Sequence, residues 1–118
     1  MANEFRNRTL TGVGTSATTL YATPDGKTSI VLELDLANTT SSVVEATVEL
    51  LDYSDATGGG VGTNWKHIVK NAPVPAGGSL MVIAGQKIVL EAGDKVRVTS
   101  SAASVMDAVA AILEDVNS

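Results

Sequence analysis

The sequence predicts an all-β fold, an antiparallel β-sandwich of one domain, and three observations carry that prediction. Apolar and polar residues alternate with period two over several stretches, the signature of a strand with one face in and one face out. Proline, glycine and small polar residues interrupt those stretches at short intervals, as they do in sandwiches. The 118 residues include one Trp, two Tyr and one Phe, so the core must be built from Val, Leu, Ile and Ala. Glycine and threonine are plentiful, which suits short strands joined by tight turns. A chain of this length buries about two-thirds of its unfolded surface, enough for one core. Jelly-roll and Ig-like sandwiches both fit the pattern.

Residues 1–14 have weak periodicity and read as an N-terminal arm, with a short strand possible at Glu4–Leu10; residues 15–118 read as the sandwich domain. Thr15 to Thr23 carries Leu20 and Tyr21 and reads as a strand. Thr23-Pro24-Asp25-Gly26 is a turn, with proline expected at its second position and glycine at its fourth. The longest signal follows. Ile30, Leu32, Leu34 and Leu36 alternate with Val31, Glu33 and Asp35, and Val44, Ala46, Val48 and Leu50 alternate with Glu45, Thr47 and Glu49. Asn38-Thr39-Thr40-Ser41-Ser42 separates them, so the two runs read as a hairpin. That hairpin sets Asp35 opposite Glu45, with Glu33 and Glu49 on the same outward face. Like charges opposed in this way are destabilising, and Lys95 and Arg97 have the alternation to offset them, from a neighbouring strand or from another subunit.

Asp55 to Asn64 contains Gly58, Gly59, Gly60 and Gly62 and reads as an exposed loop. Trp65 to Val74 is a strand with Trp65, His67 and Val69 on one face. Pro75-Ala76-Gly77-Gly78 repeats the earlier proline turn. Leu80–Ala84 and Lys87–Leu90 read as two short strands, and Ala92-Gly93-Asp94 turns the chain into a strand at Lys95–Ser100. The last segment has two readings. Val105, Ala108, Val109, Ile112, Leu113 and Val116 have helical spacing. The turn spacing upstream instead asks for a final strand to cover a sheet edge. Either reading buries Val109.

Composition removes several function classes. The net charge is −5, which opposes nucleic acid or an anionic membrane as partner, because phosphate binding needs a basic patch. The charge is uneven: the first fourteen residues hold Arg6 and Arg8 against Glu4. There is no cysteine, hence no thiolate chemistry or disulfide. His67 is the single histidine, with neither a cysteine nor a nucleophile motif to make a metal site or a catalytic pair. Gly58-Gly59-Gly60-Val61-Gly62 lacks the Lys-Ser/Thr of a phosphate-binding loop. The sequence therefore points to no enzyme, no cofactor, no metal and no small-molecule ligand. The candidate residues are partner contacts: Arg6 and Arg8 on the arm, Gly58, Gly59 and Gly60 at the loop tip, and Trp65 at its end, since Trp is enriched at interface hot spots.

Four stretches carry a family resemblance: Thr19-Leu20-Tyr21-Ala22-Thr23-Pro24-Asp25-Gly26-Lys27-Thr28-Ser29-Ile30-Val31, Leu36-Ala37-Asn38-Thr39-Thr40, Val69 to Leu80, and Lys87 to Asp94. Together they resemble a family of small virion proteins of tailed bacteriophages. The resemblance spans roughly residues 15 to 116 and rests on turns and strands, with no catalytic signature. It implies a β-sandwich attached to the outside of the head or to the neck and tail, and a strand at Ser104–Val116. The expected role is a decoration or cement protein. Its expected partners are the major capsid protein and further copies of itself, at the outer surface of the head, after synthesis in the host cytoplasm. A neck or tail-surface protein and a carbohydrate-binding or host-adhesion module are the alternatives.

Overall fold

A computed structural model describes residues 3–53 and 65–114. Among the described residues eight strands run in chain order: β1 (Glu4–Leu10), β2 (Thr18–Ala22), β3 (Ser29–Asn38), β4 (Val44–Leu51), β5 (Trp65–Val74), β6 (Ser79–Leu90), β7 (Lys95–Ser100) and β8 (Met106–Glu114). They form two four-stranded sheets, β1-β8-β3-β6 (sheet A) and β2-β7-β4-β5 (sheet B). Every pairing is antiparallel, and the partners are nested: β1 with β8, β2 with β7, β3 with β6, β4 with β5. The chain is thus one long hairpin closing at β4–β5 and rolled up so that β3 also pairs with β8 and β4 with β7. That nesting is the jelly roll, which decides between the two sandwich types.

The core lies between the sheets. Its largest enclosed side chains are Leu34, Leu36, Ile83, Leu90, Met106 and Ile112 from sheet A, and Val48, Val74, Val96 and Val98 from sheet B. In β8 the inward residues are Met106, Ala108, Ala110 and Ile112. The C-terminal segment is therefore a strand, and a central one, held by β1 on one side and β3 on the other. Val109 corrects the sequence reading: it points outward and is about half exposed. It shares a strand face with Asp107, whose Oδ1 accepts the Gly12 amide at 2.9 Å.

The expected β3–β4 hairpin is also corrected, because the two strands belong to different sheets. The segment Asn38–Ser42 is a corner between layers, and Asn38 builds it. The Asn38 side chain is buried. Its Nδ2 donates to Ser42 O at 2.6 Å and Val74 O at 3.1 Å, and its Oδ1 accepts from the Thr40 amide and hydroxyl, both at 2.9 Å. Asp35 consequently does not face Glu45.

Strict alternation breaks within β3. The register slips between Val31 and Glu33 against both neighbours. Leu32 is the extra residue, and the inward set changes from Ser29 and Val31 to Leu34 and Leu36. A bulge inserts one residue and so reverses the faces beyond it. The matching irregularity in β6 lies at Gly85–Lys87, where Gln86 Oε1 accepts the Ala84 amide and its Nε2 donates to Val82 O. The two short strands expected at Leu80–Ala84 and Lys87–Leu90 are therefore one strand with a kink.

The first proline turn is displaced by one residue from the expected frame, to Pro24–Lys27, while the second spans Pro75–Gly78 as expected. Lys27 N donates to Pro24 O and Gly78 N to Pro75 O, so each proline opens its turn. Gly26 and Gly77 occupy the third position with positive φ, where glycine is needed.

Candidate functional site

The two outer faces of the sandwich differ in how far their side chains satisfy one another. On sheet B, cross-strand neighbours form the rows Trp65–Leu51–Lys95–Ala22 and His67–Glu49–Arg97–Thr19. Arg97 Nε donates to Glu49 Oε1 at 2.9 Å, and His67 Nε2 lies 3.6 Å from Glu49 Oε2. The Arg97 hydrogen bond is the main reason that the Glu49 carboxyl is held below the usual carboxylate range, against burial, with the charges of Arg97, His67 and Lys70 adding to it. The Arg97 guanidinium also stacks 3.7 Å above the Trp65 ring. The expected offset of the outward carboxylates by Arg97 is present for Glu49, through side-by-side pairing of β4 and β7. Trp65 is half-buried, on the outer face of sheet B rather than in the core.

Sheet A presents a different surface. One row across all four strands is Phe5–Leu113–Ile30–Val89, apolar from edge to edge. The next outward row is Asn7–Ala111–Glu33–Ala84, and the one after is Thr9–Val109–Asp35–Met81. Four of the six large exposed hydrophobic residues among those described lie here: Phe5 (78% exposed), Met81 (67%), Val89 (59%) and Val109 (48%). Contiguous apolar surface of this kind marks interaction sites.

Inside this apolar surround stand two carboxylates of the same sign. Glu33 and Asp35 are two apart on β3 and point to the same side. Asp35 first as a hydrogen-bonding partner, then through its charge, raises the Glu33 carboxyl above its usual range. Asp35 Oδ1 is shut off from solvent and takes no hydrogen bond from a described donor; a proton on Glu33 would supply one.

The arm residues form a third group, at the edge where β1 and β2 meet. The segment Glu4–Leu10 pairs with β8 residue for residue from Glu4↔Glu114 to Leu10↔Ala108. Arg6 Nε donates to Glu114 Oε1 at 2.8 Å and Arg6 Nη2 to Glu4 Oε1 at 3.1 Å. Arg8 sits 5.6 Å above the Tyr21 ring. The Tyr21 hydroxyl in turn donates to Glu114 Oε2. The Tyr21 hydrogen bond is the leading cause that lowers the Glu114 carboxyl, opposed by burial and reinforced by Arg6. Arg6 and Arg8 thus share one intramolecular cluster, away from Trp65. Gly58, Gly59 and Gly60 lie outside the described residues.

One further set of acidic side chains converges where the turn after β6 meets the end of β4. Oxygens of Asp52, Glu91 and Asp94 lie within 4.8 Å of one another. Asp94 is buried, and its two oxygens accept the Tyr53 and Glu91 amides, each at 2.9 Å. The carboxylate therefore serves the backbone of two turns.

No family model, curated protein or solved structure matches the chain. What the arrangement can do follows from its surfaces. Sequence reasoning placed contacts on the arm and the glycine loop and missed the outer face of sheet A. The signal was not available in one dimension, because each row draws one residue from four distant strands.

Proposed function

We propose that the protein is a structural component of a tailed-phage virion, bound to the outer surface of the head as a decoration or cement protein. The observation that carries this reading is the outer face of sheet A, an apolar surface with an uncompensated acidic pair, set against a sheet B face on which Glu49 is paired with Arg97 and His67. A face of that composition suits lasting contact with another protein. The stretches that resemble small phage virion proteins support the reading. Three of them map onto the sheet-to-sheet connections β2–β3, β5–β6 and β6–β7, and the fourth enters the Asn38 corner. The jelly roll hosts many functions and does not decide among them.

Cementing needs no chemistry beyond complementary surfaces. Many copies, each spanning neighbouring capsid subunits and touching further copies of itself, multiply modest contact energies over the shell. Heads assembled without the protein test this. They should form, release their DNA at a lower temperature than complete heads, and regain resistance when purified protein is added back. Copy number separates the head from the neck, since a shell takes hundreds and a ring about a dozen, as closed symmetry dictates. Purified protein that binds a polysaccharide and no head would sink the reading.

A further inference from the structure

We propose that the outer face of sheet A docks on a protein surface that carries a lysine or arginine among aliphatic side chains, the cation meeting Glu33 and Asp35. The proposal rests on the decoration reading, under which that surface belongs to the outer shell of the head.

The geometry supplies the complement. Around the two carboxylates the cross-strand neighbours are Ala111, Ala84, Val109 and Met81, with the row Phe5–Leu113–Ile30–Val89 beyond them. Closing an apolar partner over this face without a cation strips water from two like charges and returns nothing. A cation delivered to the centre reverses that balance, because its attraction strengthens as water leaves. Among the described residues, this face sets no lysine or arginine in the rows that flank the acidic pair. Its outward rows hold Phe5, Asn7, Thr9, Ala111, Val109, Ala84 and Met81 beside the acidic pair, while Arg97 is committed to Glu49 and Trp65 on the other sheet.

A second copy fits poorly. A two-fold axis through the middle of this face would set Glu33 and Asp35 against their own counterparts, because isologous contacts repeat the same patch on both sides. Opposed like charges are destabilising. Contacts between copies are left to other parts of the surface, the sheet edges among them.

The test uses the full chain and heads lacking it, with binding measured by co-sedimentation at two salt concentrations. Glu33→Lys and Met81→Asp alter exposed or outward positions of sheet A. Glu45→Lys makes the same charge change on the outer face of sheet B and controls for overall charge. Circular dichroism melts confirm that all three fold. Glu33→Lys and Met81→Asp should each weaken binding by at least about tenfold, Glu45→Lys by less than about twofold, and added salt should weaken the wild type. Wild-type affinity in both sheet A variants overturns the inference and leaves the decoration reading standing. Tighter binding by Glu33→Lys overturns the cation. A discrete oligomer formed without heads and reduced to monomers by Met81→Asp gives the face to a second copy and overturns the proposal. Failure of the wild type itself to bind heads overturns the decoration reading and the named partner together.

Discussion

Tyr21 and Glu114 fasten the two sheets together at the β1–β2 edge: the Tyr21 hydroxyl of sheet B donates to Glu114 Oε2 of sheet A at 2.5 Å. The same hydroxyl shares a 2.7 Å hydrogen bond with Ser29 Oγ on β3, and Arg6 holds the other oxygen of Glu114. A carboxylate almost wholly buried at the sandwich edge is tolerable only because both of its oxygens are engaged.

Removing the hydroxyl leaves Glu114 and Ser29 each short of a partner. Tyr21→Phe should cost about 1–3 kcal/mol of stability, measured by urea unfolding. The pH dependence has two limits. Glu114 titrates below its unfolded value of about 4.3, so its contribution is present above that value and is lost as pH falls through the folded pKa. The Tyr21 hydroxyl is pushed up to about 12, by burial first and the Glu114 hydrogen bond second. Its contribution is complete below the unfolded value of about 10 and is lost as pH rises toward 12. Glu114→Gln should flatten the acid limb; an unchanged acid limb would place the acid sensitivity elsewhere.

Asn38 uses both donors and its acceptor within the corner between sheets. Asn38→Ala removes a donor from the carbonyls of Ser42 and Val74 and the side-chain acceptor of the Thr40 amide, and should lose at least about 2 kcal/mol. Asn38→Asp keeps the acceptor, lacks both donors and adds a buried charge, so it should melt no higher than the alanine variant. Equal melting of Asn38→Ala and wild type would mean that water replaces the side chain in full.

Gly93 lies at φ 87°, and a Cβ there would stand 2.6 Å from Cδ2 of the Tyr53 ring. Gly93→Ala therefore meets a strained backbone and a ring at once and should cost about 1–3 kcal/mol. Tyr53→Ala in the same chain should recover the steric part and not the backbone part. Thermal melts of the single and double variants separate the two.

Adjacent residues of β8 should respond in opposite ways. Ala110 is buried and Val109 is half exposed. Ala110→Asp should cost several kcal/mol through an unpaired buried carboxylate. Val109→Asp should leave the melting temperature nearly unchanged while impairing binding to heads. A large fall in melting temperature for Val109→Asp would put that residue inside.

The β8 pair also shows what could be read from the chain alone. Strand existence was legible from β2 to β7, because period two survives in β4 and β7 and turn residues stand between elements; in β8 the residue spacing itself was helical, and the strand was asked for only by the turns upstream and by the resemblance. Which face of β8 is inward was not, since Val109 and Leu113 outrank Ala108 and Ala110 in hydrophobicity. Ala108 and Ala110 are nonetheless the buried residues, between the large inward side chains Met106 and Ile112, a tertiary outcome invisible in one strand. The face of β3 was legible from Glu33 onward, where Leu34 and Leu36 point inward, and was reversed before it, because the bulge at Leu32 turns Val31 inward and Ile30 outward. The pairing of β3 with β6 and β8 rather than β4 was illegible for another reason: Asn38–Ser42 has the composition of a hairpin turn, and only the side-chain bonds of Asn38 make it a corner. Glu49 and Arg97 were brought together correctly by alternation. Glu33 and Asp35 were seen as an acidic face, without the hydrophobic rows that give them meaning.

The nested order of strands has a consequence for how the protein is made. The Arg6–Glu114 bond closes a loop of 108 residues, and β1 has no partner in sheet A until β8 has left the ribosome. The first strand synthesised is therefore among the last to be placed, waiting as an unpaired edge while β4 and β5, joined locally, can already close. Long-range closure is slow because the chain entropy is lost before the contacts are gained. Pulse-labelled hydrogen exchange during refolding should show amides of β4 and β5 protected before those of β1; simultaneous protection would mean the roll closes in a single step.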